Sequence, residues 1–156
     1  MKRDFTASAE RALTKAGEIA AKLGTTAIGT EHLLYGLSAV SGTASRILKE
    51  NGVIRQDIEM ILEDMTGGAA PEKVKRKDCD VTPRFDEIIL SAEQIAERNE
   101  DSSIGTEHIF LAILKTRDTG GLMVLRALEA NLQKMFVDVV LTMGADLNAA
   151  KAELSG

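Results

Sequence analysis

The chain has 156 residues, a formal net charge of −5 and an apolar content of 44%, which is ordinary for a globular protein. Its acidic charge argues against non-specific binding to nucleic acid or to an anionic membrane, and its single cysteine excludes an internal disulfide. Aromatic residues make up 3% of the chain, so the core must be mainly aliphatic, which suits packed helices better than a β-sandwich.

The first part of the chain predicts four short helices. Apolar residues at helical spacing predict the first helix, with Thr6 as its N-cap and Gly24 as its left-handed stop. The second helix follows the sequence IGTEH, with Thr30 as its expected N-cap. The third helix is expected to stop at Gly52, and a further apolar face beginning at Ile54 predicts the fourth.

The second part of the chain repeats this pattern at an offset of 76 residues. The pentapeptide IGTEH stands at 28–32 and again at 104–108, each time before an apolar run. Thr82 followed by Pro83 predicts the start of a fifth helix, and Thr106 is the expected N-cap of the sixth. Because the flanking residues also match, we interpret the chain as a duplicated unit. The predicted fold is all-α, with two four-helix repeats, about eight helices in all, and no strand ladder.

The helix pattern also predicts the boundaries of the repeats within one compact domain. The first repeat is assigned to residues 1–67 and the second to 81–144. Residues 68–80 contain glycine, proline and a basic cluster, and these predict a linker that is not packed against the repeats. Residues 145–156 are assigned to a tail, or to the start of a linker to a following module.

The acidic residues of the two pentapeptides, Glu31 and Glu107, are the first candidates for a functional site. Each is predicted at the first helical position, where unpaired backbone N–H groups and the helix dipole favour a negative charge. A carboxylate there can simply help to start the helix. Alternatively, the N–H groups bind an anion while the carboxylate binds a guanidinium. The spacing alone leaves both interpretations open.

His32 and His108 are the only histidines, and they occupy the same position of the repeat. A metal pair, or an acid/base dyad with the adjoining glutamate, would be a catalytic interpretation. No third ligand has a suitable spacing, so a histidine ordered by hydrogen bonds at a helix start is favoured. The chain also lacks a phosphate-binding loop, a nucleophile elbow and the common zinc motifs. We therefore expect a binding domain with no catalytic residues, no metal and no cofactor of its own.

The stretches "FTASAERAL…IGTEHLLYGL…ILKENGV" and "VTPRFDEIILSAEQIAE…IGTEHIFLAIL" resemble the Clp N-terminal (Clp repeat) domain of the Hsp100/Clp AAA+ unfoldases, over residues 5 to about 144. Two intact GTEH motifs are most similar to the ClpC branch. The resemblance implies an all-α domain of two pseudo-twofold-related repeats that docks adaptor proteins and protein substrates for unfolding and degradation. The parent protein would carry ATP and Mg²⁺ in its ATPase modules and would feed the ClpP peptidase.

The resemblance also implies a ligand, because ClpC-type domains of Gram-positive bacteria hold phosphoarginine, a degradation mark, in their two repeats. Phosphoarginine carries a phosphoryl anion and a guanidinium, the two charges that a helix start beside a glutamate would bind. The pockets include the acidic residue of each GTEH and the threonine that opens each repeat, which maps to Glu31 with Thr6 and to Glu107 with Thr82. The full set of expected ligand-binding residues is Thr6, Gly29, Thr30, Glu31, Thr82, Gly105, Thr106 and Glu107.

The second repeat departs from the first at two glycines. Glu100 stands in the place of Gly24, and Glu129 in the place of Gly52. The third helix of the second repeat is therefore expected to run on or to end differently. Added negative charge at Glu100 and Asp101 is expected to weaken phosphoryl binding at the second site.

The ends of the chain carry two further expectations. The N-terminal sequence MKRDFTASAE has no signal-peptide pattern, and no apolar run approaches the roughly 20 residues that span a bilayer. We expect a cytoplasmic monomer without nucleic-acid or membrane partners. The chain is expected to be the N-terminal segment of a larger unfoldase. The alternative is a free-standing helical adaptor that holds a partner's amphipathic helix in a groove between the repeats.

Overall fold

In a computed structural model that describes residues 4–67 and 72–144, eight α-helices form two sets of four. All eight contribute to one cluster of buried apolar side chains. This arrangement confirms the predicted all-α fold. The Gly- and Pro-containing stretch 68–71 and the predicted tail 145–156 lie outside the described residues. The helices are α1 (Ala7–Lys22), α2 (Thr30–Ser38), α3 (Thr43–Glu50), α4 (Arg55–Met65), α5 (Pro83–Arg98), α6 (Thr106–Lys115), α7 (Gly120–Ala127) and α8 (Leu132–Met143).

The predicted caps of the first helix in each repeat are present. Thr6 Oγ1 accepts the N–H of Ala9 at 3.1 Å, and Thr82 Oγ1 accepts the N–H of Phe85 at 3.2 Å. Pro83 is the first residue of α5, where its missing N–H has no intrahelical acceptor. These caps satisfy backbone donors that the first turn of a helix leaves unpaired.

The expectation that the third helix of the second repeat ends differently was wrong. Gly52 has a φ of 81°, and Glu129, its counterpart, adopts the same left-handed conformation with a φ of 57°. The N–H of Ala130 donates to Leu125 O at 3.0 Å, as the N–H of Val53 donates to Leu48 O at 2.9 Å. The same helix-closing hydrogen bonds thus hold a glutamate in a conformation that costs roughly 1–2 kcal/mol for a residue with a Cβ.

The expectation of no strand ladder also needs correction, because the described residues include four two-residue strands. The strands form two parallel pairs, β1 with β4 and β2 with β3. Two residues are too short to show the alternation that identifies a strand in sequence. The strands are β1 (Asp4–Phe5), β2 (Ala27–Ile28), β3 (Asp80–Val81) and β4 (Ser103–Ile104).

The strand pairs exchange segments between the repeats. The strand that precedes α1 pairs with the strand that precedes α6, and the strand that precedes α5 pairs with the one that precedes α2. The N–H of Thr6 donates to Ile104 O at 2.9 Å, and the N–H of Thr82 donates to Ile28 O at 3.0 Å. The start of each repeat therefore lies beside the IGTEH sequence of the other repeat, as a pseudo-twofold axis requires.

The part of the predicted linker that the structure describes packs against α1, which the sequence did not predict. The N–H of Val74 donates to Ala21 O at 3.1 Å. The guanidinium of Arg76 lies so close to Gly17 that a Cβ at this glycine would overlap it. The basic segment thus approaches the same end of the molecule as the IGTEH sequence of the first repeat. None of the described helices is long and apolar enough to cross a membrane.

Candidate ligand-binding clefts

The second helix of each repeat begins one residue earlier than predicted. Gly29 and Gly105 are the N-caps of α2 and α6, so the threonines expected there are the first helical residues. The histidine three residues after each glycine causes this shift, because its side chain caps the helix. The N–H of Gly29 donates to His32 Nδ1 at 2.9 Å, and the N–H of Gly105 donates to His108 Nδ1 at 2.8 Å. This arrangement is one half of a capping box, with histidine in the place of glutamate or glutamine, because the glycine has no side chain to make the reciprocal bond.

The threonine of each IGTEH joins the two repeats. Thr30 Oγ1 accepts the N–H of Gly121 at 3.0 Å, and Thr106 Oγ1 accepts the N–H of Ala44 at 3.3 Å. Both threonines are buried, and each acceptor satisfies the first turn of the third helix of the other repeat. Thr30 and Thr106 were expected to bind ligand, but the structure places their hydroxyl groups in the interface between the repeats.

The glycine of each IGTEH allows the glutamate to fold back over the helix start. A Cβ at Gly29 would overlap the carboxylate of Glu31, and a Cβ at Gly105 would overlap that of Glu107. Glu31 Oε2 would also lie 2.6 Å from a Cβ at Gly120, the first residue of α7. The Glu31 carboxylate therefore occupies the junction of two helix N-termini, where the helix dipoles favour its negative charge.

Both carboxylates face clefts. Glu31 lines a cleft of about 670 Å³, named cleft 1, and Glu107 lines one of about 400 Å³, named cleft 2. The Glu31 side chain is 19% exposed and that of Glu107 is 26% exposed. Among the described residues, neither carboxylate has a lysine or arginine partner. The polar lining of cleft 1 includes Thr25, Glu31, His32, Glu72 and Lys73, and that of cleft 2 includes Thr6, Asn99, Asp101, Ser103, Glu107 and His108.

The expected pairing of Glu31 with Thr6 and of Glu107 with Thr82 was wrong. Thr6 lines cleft 2 together with Glu107. Thr82 lies beside the first IGTEH, because its N–H donates to Ile28 O. The exchange of strands between the repeats accounts for this crossing, which an alignment of one repeat on the other does not reveal.

The electrostatic environments of the two histidines differ. Burial lowers the pKa of His32 below the ordinary value of 6.5, and the nearby Glu31 carboxylate opposes this shift. His108 Nε2 lies 2.6 Å from Asp101 Oδ2. The pKa of Asp101 is lowered, mainly because Asn99 donates a hydrogen bond to its carboxylate. Burial opposes this shift, and the contact between Asp101 and His108 adds to it. Cleft 2 therefore contains an ionised carboxylate beside its histidine. At the equivalent position, cleft 1 has the uncharged side chain of Thr25.

The geometry does not favour the catalytic interpretation of the histidines. Nδ1 of each ring already accepts a backbone N–H, so it cannot also take a proton from a substrate or bind a metal. Within residues 4–67 and 72–144, no group of three or more His, Cys, Asp or Glu residues could hold a metal ion. The polar and charged side chains that line the clefts are suited to binding a polar ligand.

Two residues of the clefts were not identified as site residues from the sequence. Asp101 was noted only as a nearby charge, although its position 76 residues after Thr25 could have placed it in the second cleft. Lys73 was assigned to an unpacked linker, and it reaches cleft 1 because residues 72–74 pack beside α1. No local pattern indicates that contact.

The family described as the Clp repeat (R) N-terminal domain matches residues 4–128. ClpB of Oceanobacillus iheyensis is 29% identical over 147 residues, which cover 94% of this chain and 18% of that protein. The negative regulator of genetic competence ClpC/MecB of Bacillus subtilis is 30% identical over 149 residues, which cover 95% of this chain and 18% of that protein. The chain thus spans less than a fifth of the length of these relatives.

Solved structures share the fold. The N-terminal domain of ClpD from Arabidopsis thaliana superposes with a TM-score of 0.75 at 21% identity, covering 89% of this chain and 96% of that one. A ClpV N-domain in complex with a VipB peptide superposes with a TM-score of 0.63 at 17% identity, covering 90% and 88%. With the family match over residues 4–128, these likenesses lead to one conclusion: the chain belongs to the Clp repeat N-terminal domain family.

Proposed function

We propose that this chain is the substrate- and adaptor-docking N-terminal domain of a ClpC-like ATP-binding subunit of an ATP-dependent Clp protease. In this role it recognises proteins that are marked with phosphoarginine or delivered by an adaptor. The observation that carries the proposal is the Glu31 carboxylate, which faces cleft 1 without a cationic partner among the described residues. A guanidinium is the natural partner for such a carboxylate.

The different roles of the residues in IGTEH support a binding role for the glutamate. The backbone of Gly29, the hydroxyl of Thr30 and Nδ1 of His32 all take part in hydrogen bonds that hold the fold together. Within residues 4–67 and 72–144, the Glu31 carboxylate takes part in no hydrogen bond of this kind. The fold therefore explains the threonine and the histidine, the glycine leaves room for the Glu31 carboxylate, and ligand binding is our explanation for the glutamate.

The charged residues of cleft 1 suit a ligand that carries one positive and one negative group. Glu31 supplies a negative group for the guanidinium of phosphoarginine, and Lys73 supplies a positive group for its phosphoryl. Glu72 also lines this cleft, so its charged lining consists of two carboxylates and one ammonium group. A ligand that carries both signs is therefore favoured over a simple anion.

The relatives support the wider role. Those named ClpC and ClpB are several times longer than this chain, and one solved ClpV N-domain holds a peptide of VipB. We propose that the parent of this chain carries ATPase modules that use ATP and Mg²⁺ and that it passes unfolded substrates to the ClpP peptidase. The isolated chain is expected to hydrolyse no ATP.

Calorimetric titration of the 156-residue chain with phosphoarginine tests the proposal. Arginine, which has the guanidinium, and inorganic phosphate, which has the phosphoryl oxygens, are the matched control ligands. We expect phosphoarginine to bind at least tenfold more tightly than either control. Equal affinity for all three ligands, or no binding of phosphoarginine, would remove the basis of the proposal.

A further inference from the structure

We propose that the Nε2–H of His32 is the donor that receives the anionic group of the ligand in cleft 1. We further propose that Asp101 occupies the equivalent position of cleft 2 from within the chain. This inference deepens the proposed function and rests on it, because it assigns the phosphoryl pole of the ligand and predicts which of the two clefts accepts it.

The backbone fixes the position of the proton on each imidazole ring. Because Nδ1 of His32 accepts the N–H of Gly29 at 2.9 Å, the neutral ring must carry its proton on Nε2. The same argument holds for His108, whose Nδ1 accepts the N–H of Gly105 at 2.8 Å. Each cleft therefore has an Nε2–H donor whose direction is set by the helix start.

The donor on His32 belongs to a nearly buried side chain and has no hydrogen-bond partner among the described residues. The His32 side chain is 8% exposed, and among the described residues its Nε2 takes part in no hydrogen bond. No buried side-chain nitrogen or oxygen in the described part of the chain is left unpaired. The Nε2 atom must therefore reach the open space of cleft 1, which His32 lines. A nearly buried donor that faces a cleft is suited to an acceptor from outside the chain.

The second repeat shows which kind of group this donor binds. There the equivalent Nε2 lies 2.6 Å from Asp101 Oδ2, a short bond typical of a charged acceptor. Asp101 and Thr25 occupy the same place in the two repeats, because each N–H closes the preceding helix at 2.9 Å, on Ala96 O and Ala20 O respectively. The carboxylate of Asp101 thus marks the place where an oxyanion would lie in cleft 1.

This comparison makes the two clefts unequal in function. Cleft 1 offers His32 and Lys73 to an anion and Glu31 to a cation. In cleft 2 the donor is already paired with Asp101, whose charge would repel a phosphoryl group. We infer that one phosphoarginine binds per chain, and that it binds in cleft 1.

The imidazole nitrogens provide a direct test, since the chain has two histidines and its ¹⁵N spectrum contains two ring systems. Phosphoarginine is the main probe, and inorganic phosphate separates the anion from the guanidinium. We expect the Nε2–H resonance of His32 to shift with both probes while that of His108 stays unchanged. In the Asp101→Thr variant, the His108 resonance should also respond.

The reciprocal variant, Thr25→Asp, should bind phosphoarginine at least tenfold more weakly than its uncharged control, Thr25→Ser. If phosphoarginine binds but the His32 resonance does not respond, or if Thr25→Asp binds like Thr25→Ser, this inference is wrong and the proposed function stands. If the wild-type chain does not bind phosphoarginine, both are wrong. Binding of two molecules per wild-type chain would also overturn the inference.

Discussion

Thr30 Oγ1 accepts a hydrogen bond from the N–H of Gly121 at 3.0 Å, and this buried bond joins two residues that are 91 positions apart in the chain. Replacing Thr30 with valine keeps the shape of the side chain and leaves the buried N–H without an acceptor. We expect this change to lower the free energy of unfolding by about 1–3 kcal/mol, measured by urea denaturation.

Thr30→Ser is the matched control for this prediction. It keeps the hydroxyl and loses one buried methyl group, which is worth about 0.8 kcal/mol. The serine variant should therefore be the more stable of the two. A valine variant as stable as the serine variant would show that this bond does not join the repeats energetically.

The left-handed conformation of Glu129 predicts that a glycine there stabilises the protein. A residue with a Cβ pays a conformational cost at a φ of 57° that glycine does not, although glycine also loses more chain entropy on folding. We expect Glu129→Gly to raise the free energy of unfolding by about 0.5–1 kcal/mol. Gly52→Ala should lower it by a similar amount, because alanine has the same conformational cost at a φ of 81°. No clash adds to this cost, since no atom lies within 4 Å of the added Cβ. Thermal denaturation of both variants checks this; a destabilised Glu129→Gly would contradict it.

The buried His32 predicts a loss of stability in mild acid. Burial lowers the pKa of His32 in the folded chain, so the unfolded chain binds a proton more readily. The stabilising contribution of the neutral ring is complete above the unfolded value of 6.5 and declines as the pH falls below it. Urea denaturation between pH 7.5 and pH 5 should therefore show the wild type losing stability over roughly this range.

His32→Gln isolates this effect, because glutamine also accepts the N–H of the N-cap residue but does not titrate. The variant should lose less stability than the wild type over the same range of pH. Identical pH profiles for the two proteins would contradict the assignment of the loss to His32.

The sequence predicts well the features that depend on neighbouring residues. The threonine caps at Thr6 and Thr82 and the stops at Gly24 and Gly52 follow from backbone chemistry within one or two turns. The helix start at IGTEH was placed one residue late, because the capping role of the histidine was not considered. That error is also local, and the spacing between Gly29 and His32 contains the information needed to correct it.

Features that depend on distant contacts were not predictable in this way. The exchange of strands between the repeats decides that Thr6 lies beside Glu107, and two-residue strands leave no pattern in the sequence. The approach of Lys73 to cleft 1 depends on the packing of residues 72–78 against α1. In both cases the local sequence is compatible with several arrangements, and the packed repeats select one.

The close approach of Glu31 to Gly29 predicts a loss of ligand binding when a Cβ is added at the glycine. Gly29→Ala should displace the carboxylate and lower the affinity for phosphoarginine roughly tenfold, the order expected for one charge-assisted hydrogen bond. In a Glu31→Ala background, Gly29→Ala should have no further effect on affinity. Gly105→Ala is the control in cleft 2, where we expect little change. Additive losses in the double variant would contradict this account of the glycine.

The most direct test of the central claim is the affinity of Glu31→Ala for phosphoarginine, measured by calorimetry beside Glu31→Gln and Glu107→Ala. A charge-assisted hydrogen bond contributes about 1.5–3 kcal/mol, so the account predicts a loss of tenfold or more for Glu31→Ala. It predicts a similar loss for Glu31→Gln, which keeps the size of the side chain and removes its charge, and little change for Glu107→Ala, because Glu107 lines cleft 2. Unchanged binding in the Glu31→Ala, Glu107→Ala double variant would contradict the account.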